Sequence, residues 1–333
     1  MKTPFSLALV VLGLVSSSQA AVQLSGAGAS FPAPLYQRWA VEYNKLHPDV
    51  QVNYQSVGSG AGIKQFTAGT VDFGASDAAM TDAQIAKVSK GVVLVPATAG
   101  SIVIAYNLPG VTDLKLSRDA YVGIFLGKIT NWNDPVIAKA NPGVKLPDMP
   151  INVAYRSDGS GTTFVFTKHL SAVSKDFADQ VGSDTTVPWP VGAGGKGNEG
   201  VTALIKQAPG TVGYVEYGYA ANNGLAMAQL ENKSGKFIKA TPESGMATLA
   251  SVVFPPNLRI WPEDPTGADA YPIATFTWLL LYQQNPDAAK LAALKDFVKW
   301  GLTDGQKFAP ELGYISLPAS VVEKDMAALD TVK

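Results

Sequence analysis

The chain has 333 residues, with 26 Lys and Arg against 27 Asp and Glu, two His and no Cys. The near-neutral balance offers no basic field for nucleic acid or a membrane surface, so an anionic ligand needs a local site. Without cysteine there is no disulfide, thiolate metal site, cysteine nucleophile or lipid-anchor cysteine.

The first residues read as a secretory signal. Lys2 gives a short positive start, residues 5–15 are apolar, and Ser18-Gln19-Ala20 is a small-x-small cleavage site. The apolar run is shorter than the ~20 residues a membrane span needs. Cleavage would leave Ala21 first and remove only Lys2, for a net charge of 25 − 27 = −2. A mature chain of roughly 310 residues exceeds the usual limit of one core, so two domains are expected.

From there short β patterns alternate with helical ones, which predicts an α/β protein. Residues 22–24 read as a strand, and Pro32 and Pro34 open a helix carrying Leu35, Trp39 and Tyr43. A strand over 50–54 precedes a helix over 63–68, and a strand over 71–76 ends at Asp77. Two apolar strands follow, 92–95 and 102–106. From about Asn107 the reading gives helices over 116–126 and 135–140, a strand over 151–155, a helix with Phe164, Phe166 and Leu170, a helix over 201–207 and a strand over 212–215. His169 is expected on a helix surface and His47 at a helix end. The β pattern of 273–282 reads as a return to the first domain, followed by helices over 288–300 and 320–329. The expected organisation is a first domain of residues 21–106 plus 273–333, a second of 107–272 inserted into it, and a ligand cleft between them.

Three segments share one plan, in which a strand ends, a Gly/Ser/Thr turn follows and a helix begins. They are Gly28-Ala29-Ser30-Phe31, Gly58-Ser59-Gly60 and Gly159-Ser160-Gly161-Thr162. The first turn of a helix has N–H groups without partners and partial positive charge, which suits an anion. Ser and Thr are also ordinary N-caps, so each loop alone has a structural explanation. Arg156 beside the third loop can grip an oxyanion with paired hydrogen bonds, and Asp158 can orient it; a surface ion pair is the plainer reading. Asp77 is either the N-cap of a helix starting near Thr81 or an acceptor for a ligand that carries its own proton. Hydrogen phosphate has such a proton and sulfate does not, so a buried carboxylate would favour the first and reject the second.

The Gly26-Ala27-Gly28-Ala29-Ser30-Phe31-Pro32 run, the segment ending at Asp77, Arg156-Ser157-Asp158-Gly159-Ser160-Gly161-Thr162, the 189–198 run and Gly213-Tyr214-Val215-Glu216-Tyr217 occur in order along the chain. Together they resemble the phosphate-binding proteins (PstS family) of the Pst-type phosphate ABC transporter. The resemblance implies a class II periplasmic-binding-protein fold, two α/β domains joined by two crossover strands around one phosphate. It implies ligand contacts from Ser30, Phe31, Ser59, Asp77, Arg156, Ser160, Gly161 and Thr162, with Asp158 supporting Arg156. Some relatives have Thr at position 30 and Ser at position 60. It further implies no cofactor or metal, a monomer, a periplasmic location and delivery to the transmembrane permease of an ABC importer.

Gly195-Lys196 is followed by Gly197 instead of Ser or Thr, so residues 192–197 read as a turn-rich loop and not a P-loop. A secreted phosphatase would need a nucleophile with a base or a metal cluster, and neither is visible. A binder of another tetrahedral oxyanion is the remaining alternative.

Overall fold

The computed structural model describes residues 21–250 and 252–333; the expected signal peptide, residues 1–20, lies outside them. The elements in order are β1 (Val22–Gly28), α1 (Ala33–Leu46), β2 (Val50–Ser56), α2 (Ser59–Thr67), β3 (Phe73–Ser76), α3 (Asp82–Ile85) and β4 (Val92–Tyr106). Next come β5 (Lys115–Leu116), α4 (Arg118–Phe125), α5 (Pro135–Ala140), β6 (Asn152–Arg156), α6 (Gly161–Val173), α7 (Lys175–Gln180), β7 (Ala193–Gly195), α8 (Gly197–Gln207) and β8 (Thr211–Glu216). The chain continues through α9 (Tyr217–Asn222), β9 (Ala226–Met227), β10 (Gln229–Glu231), β11 (Phe237–Ile238) and α10 (Pro242–Leu249) to β12 (Ala274–Tyr282), α11 (Ala288–Leu302) and α12 (Ala319–Asp330).

Local sequence accounts for the outer elements. Strict alternation puts Val50, Val52 and Tyr54 of β2 inside and Gln51, Asn53 and Gln55 outside. In α1, Leu35, Tyr36, Trp39 and Tyr43 recur at helical spacing and are buried. The central strands β8 and β12 are buried at every residue, as a strand covered on both faces must be.

The strand order is β2-β1-β3-β12-β4-β8-β6-β7, with β9 also against β4. β1 is parallel to β2 and β3, and β6 is parallel to β7 and β8, so each lobe has its own parallel set. β4 joins the lobes. As far as Ser101 it pairs with β12, Ser101 facing Ala274; from Ile102 it pairs with β8, Ile102 facing Glu216. The exchange falls within β4, ahead of Asn107.

Three expectations need correction. The strands expected at 92–95 and 102–106 are one strand of 15 residues. Pro96 has no N–H to donate and is accommodated where the register against β12 slips. Residues 193–195, expected in a loop, form β7 against β6. Their side chains are too small to print an alternation, and a Cβ on Gly195 would fall 2.6 Å from the carbonyl carbon of Gly200 in α8. His169 is buried: its Nε2 lies 3.0 Å from the Tyr121 hydroxyl and its Nδ1 2.7 Å from the Glu263 carbonyl. Burial lowers its pKa to about 4, so the ring is neutral. α6 buries Val165, Phe166, Thr167 and Leu170 together, and leaves His169 no solvent face.

Candidate functional site

The residues singled out in the sequence sit just beyond the carboxyl ends of parallel strands, where open α/β sheets bind their ligands. Ser30 and Phe31 follow β1, Ser59 follows β2, Asp77 follows β3, and Asp158 to Thr162 follow β6. The cleft gathers them from both lobes. Their side chains are buried apart from Asp158, which is largely so, and Gly161 is buried as well.

The lobes touch closely. Gly60 N–H donates to the Gly159 carbonyl at 2.8 Å across the cleft. A Cβ on Gly161 would fall 2.6 Å from Ser59 Oγ and 2.7 Å from Asp77 Oδ2. A Cβ on Gly58 would fall 2.2 Å from Asp158 Oδ2, and Gly58 has φ of 89°, which side-chain-bearing residues rarely adopt. These glycines let the two lobes approach to backbone contact.

α1, α2 and α8 all begin at the cleft, and none of them has a side-chain N-cap. In α1 and α2 the first-turn N–H groups therefore meet no side-chain acceptor, whereas in α8 Gly197 N–H donates to Asp158 Oδ1 at 3.0 Å and Asn198 N–H to Ser30 Oγ at 3.1 Å. α6 differs, because Ser160 Oγ accepts from Thr163 N–H at 3.0 Å. The Ser160 amide is also engaged, donating to the Thr185 carbonyl at 2.8 Å, so what Ser160 can offer a ligand is its hydroxyl proton.

Arg156 is paired as the sequence suggested. Nε donates to Asp158 Oδ1 at 2.8 Å and Nη2 to Asp158 Oδ2 at 2.6 Å, in a fork that fixes the plane of the guanidinium. Nη1 donates to Thr162 Oγ1 at 3.3 Å. Burial alone would lower the arginine pKa, but the Asp158 hydrogen bonds and charge outweigh it and raise it. For Asp158 burial pushes upward, and Arg156 with the Gly197 N–H brings the net shift below the ordinary carboxylate value.

Asp77 is not the cap of α3; Thr81 is, in a reciprocal capping box with Gln84. The Asp77 carboxyl instead lies in the cleft. Oδ1 accepts from Thr277 Oγ1 at 2.7 Å, Oδ2 lies 3.5 Å from Thr162 Oγ1, and the backbone is held by Ser59 Oγ and the Trp261 indole N–H. Burial raises its pKa to about 7, against the opposing pull of Thr277, Arg156 and Thr162. A carboxylate amid an arginine, hydroxyls and helix N-termini is the distinctive feature of this cleft.

Comparison with known proteins places the chain in a family. Residues 15–304 match the family model described as the PBP superfamily domain. The chain is 43% identical to the phosphate-binding protein PstS of Pasteurella multocida over 92% of this chain and 90% of that one. It is 42% identical to that of Haemophilus influenzae over 94% of both. The chain belongs to the PstS family. The fold comparison concurs: a phosphate-binding protein from Stenotrophomonas maltophilia superposes with a TM-score of 0.73 at 22% identity, over 93% of this chain and 94% of that one. The PstS-family chain thus has the two-domain periplasmic-binding-protein fold.

Two residues of this PstS-family cleft were not singled out in the sequence. Asn198, in the first turn of α8, donates its amide and Nδ2 to Ser30 Oγ at 3.1 and 2.9 Å and accepts from Glu216 N–H at 2.9 Å. With both Ser30 lone pairs occupied, the Ser30 hydroxyl proton is free to point at a ligand. Thr277 is the second. Tyr219 and Tyr314 complete the wall by donating to the Ser30 and Phe31 carbonyls at 2.7 and 2.6 Å. Asn198 follows a glycine-rich run that reads as a turn, and Thr277 sits in an apolar run that reads as core. Among the described residues no cluster of three or more His, Cys, Asp or Glu could hold a metal ion.

Proposed function

We propose that this protein binds one inorganic phosphate between its lobes and passes it to the permease of an ABC importer. The observation that carries the reading is Asp77, a buried carboxylate beside Thr162 and within the field of Arg156, its backbone N–H held by Ser59 Oγ. A fully ionised oxyanion would meet it acceptor to acceptor, whereas hydrogen phosphate brings a P–OH that donates to it. Ser30, Ser59, Ser160 and Thr162 supply hydroxyl donors; Phe31 and Gly161 supply amides at helix starts; and Arg156, braced by Asp158, neutralises charge. The relatives named above are themselves phosphate-binding proteins, which supports the assignment.

The division we propose is residues 21–106 plus 273–333 for one domain and 107–272 for the other, with the hinge inside β4 just ahead of that boundary, where the strand changes partners between Ser101 and Ile102. Opening at that hinge would separate Asp77, Ser30 and Ser59 from Arg156 and the 160–162 loop, and ligand would favour the closed form. Residues 1–20 as a signal peptide and the absence of any Cys fit a free periplasmic protein. No helix of the described residues is long and apolar enough to cross a membrane. The protein is read as a binding protein and not an enzyme, because the relatives named above are binding proteins and the cleft is built of hydrogen-bond donors around Asp77. Equilibrium dialysis against labelled phosphate tests this: one phosphate per chain, displaced by unlabelled phosphate and not by equimolar sulfate, is expected. Retention of no phosphate would overturn it.

A further inference from the structure

β12 is mostly apolar, and every residue of it is buried. A hydroxyl in such a strand is desolvated and needs a partner. Thr275 finds one locally, the Phe276 carbonyl at 2.9 Å. Thr277 reaches across the sheet to Asp77 Oδ1 at 2.7 Å. The sheet places it there. β12 runs antiparallel to β3 with Trp278 opposite Ser76, so Thr277 lies level with Asp77. On its other side, the register against β4 slips between Thr277 and Trp278, the kind of irregularity that re-aims side chains beside a site.

The two oxygens of Asp77 are thereby unequal. Oδ1 is committed to Thr277, while Oδ2 faces Thr162 Oγ1 and the backbone of Gly161 in the opposite lobe. We infer that Thr277 is a positioning residue for the choice of phosphate over sulfate: its hydroxyl occupies Oδ1, so that Asp77 presents Oδ2 as the acceptor for the ligand's proton. The inference deepens the phosphate reading above and rests on it.

Without the Thr277 donor, Oδ1 becomes a desolvated acceptor and the carboxyl is free to turn. The lost hydrogen bond favoured the ionised form, so Asp77 then takes a proton more readily. A protonated Asp77 donates instead of accepting and no longer rejects an unprotonated anion. The other titratable groups acting on Asp77 are Arg156 at the end of β6, Asp158 just after it, Glu216 at the end of β8, and Tyr36, Tyr54, Tyr219 and Tyr314. Among these, Arg156 is the cation, and substitution at Thr277 leaves its Asp158 fork in place.

The test is titration of phosphate and sulfate from pH 6 to 9 into the wild-type protein and Thr277→Val, Thr277→Ala and Thr277→Ser. Valine keeps the branched shape of threonine and adds no polar group; alanine only removes atoms and decides the matter if the valine variant does not fold. Both are expected to weaken phosphate about tenfold or more. Both should bind sulfate at pH values where wild type does not, and Thr277→Ser should restore the wild-type ratio and pH profile. A wild-type ratio with a wild-type pH profile in Thr277→Ala would overturn the positioning role. A wild-type protein that binds no phosphate would overturn the reading of the site itself, before any variant is compared.

Discussion

Lowering the pH should open this site to sulfate. Burial raises Asp77 to about 7, so the carboxyl is protonated below that pH and ionised above it. An ionised Asp77 facing sulfate leaves two desolvated acceptors opposed, a mismatch of several kcal/mol or about a thousandfold in affinity. A protonated Asp77 offers an O–H to the same sulfate oxygen, so sulfate selects the protonated fraction. That fraction is about one in ten at pH 8 and about nine in ten at pH 6. Sulfate affinity should therefore rise about tenfold from pH 8 to pH 6, and fall about tenfold more from pH 8 to pH 9. Phosphate brings its own proton, so its affinity should change much less over the same range. Calorimetric titration of ligand-stripped protein at each pH measures both. In Asp77→Asn the dependence should vanish and sulfate should bind at pH 8. Sulfate affinity that is flat between pH 6 and 9 in the wild-type protein would refute the reasoning.

Arg156→Ala removes the cation and strands Asp158 in a partly buried position, and phosphate affinity should fall by at least ~30-fold; Arg156→Lys should not recover it, since an ammonium cannot reproduce the fork to Asp158. Unchanged affinity in a calorimetric titration of Arg156→Ala would exclude Arg156 from the site. Gly161→Ala inserts a Cβ 2.6 Å from Ser59 Oγ, so X-ray scattering should show a more open molecule in the presence of phosphate, with affinity reduced at least ~tenfold; normal closure would show that the lobes approach less tightly. Asp325 in α12 is fully buried with neither carboxylate oxygen partnered, and burial lifts it to about 9. Because the folded value lies above the unfolded one, its contribution to stability is intact below about pH 4 and erodes by up to ~1.4 kcal/mol per pH unit as pH rises toward 9. Asp325→Leu should therefore raise the melting temperature at pH 8 and flatten its fall between pH 5 and 9, whereas an equal or lower melting temperature at pH 8 would show that the carboxyl has a partner.

What was readable in the sequence was what is local. Ser30, Ser59 and the 160–162 loop each lie where a strand hands over to a helix, and that pattern is written in consecutive residues. The Arg156–Asp158 fork spans two positions and was legible for the same reason. Asp77 was visible as a misplaced carboxylate, but not its environment, because Thr277 lies 200 residues away and reaches it through the register of β12 against β3. Asn198 likewise meets Ser30 only because α8 of one lobe abuts the loop after β1 of the other. Nothing in residues 92–106 says that one strand serves both lobes; that follows from the exchange of partners at Ser101 and Ile102. His169 was misplaced because helical periodicity cannot show that Tyr121 and the Glu263 carbonyl close over it.

The most direct test of the central claim is a calorimetric titration of residues 21–333, stripped of ligand, with phosphate and then sulfate at pH 8. One-to-one phosphate binding with sulfate at least about tenfold weaker in the wild-type protein, and loss of that preference in Asp77→Asn, is the predicted result. Sulfate bound as tightly as phosphate, or a preference that survives in Asp77→Asn, would contradict the account.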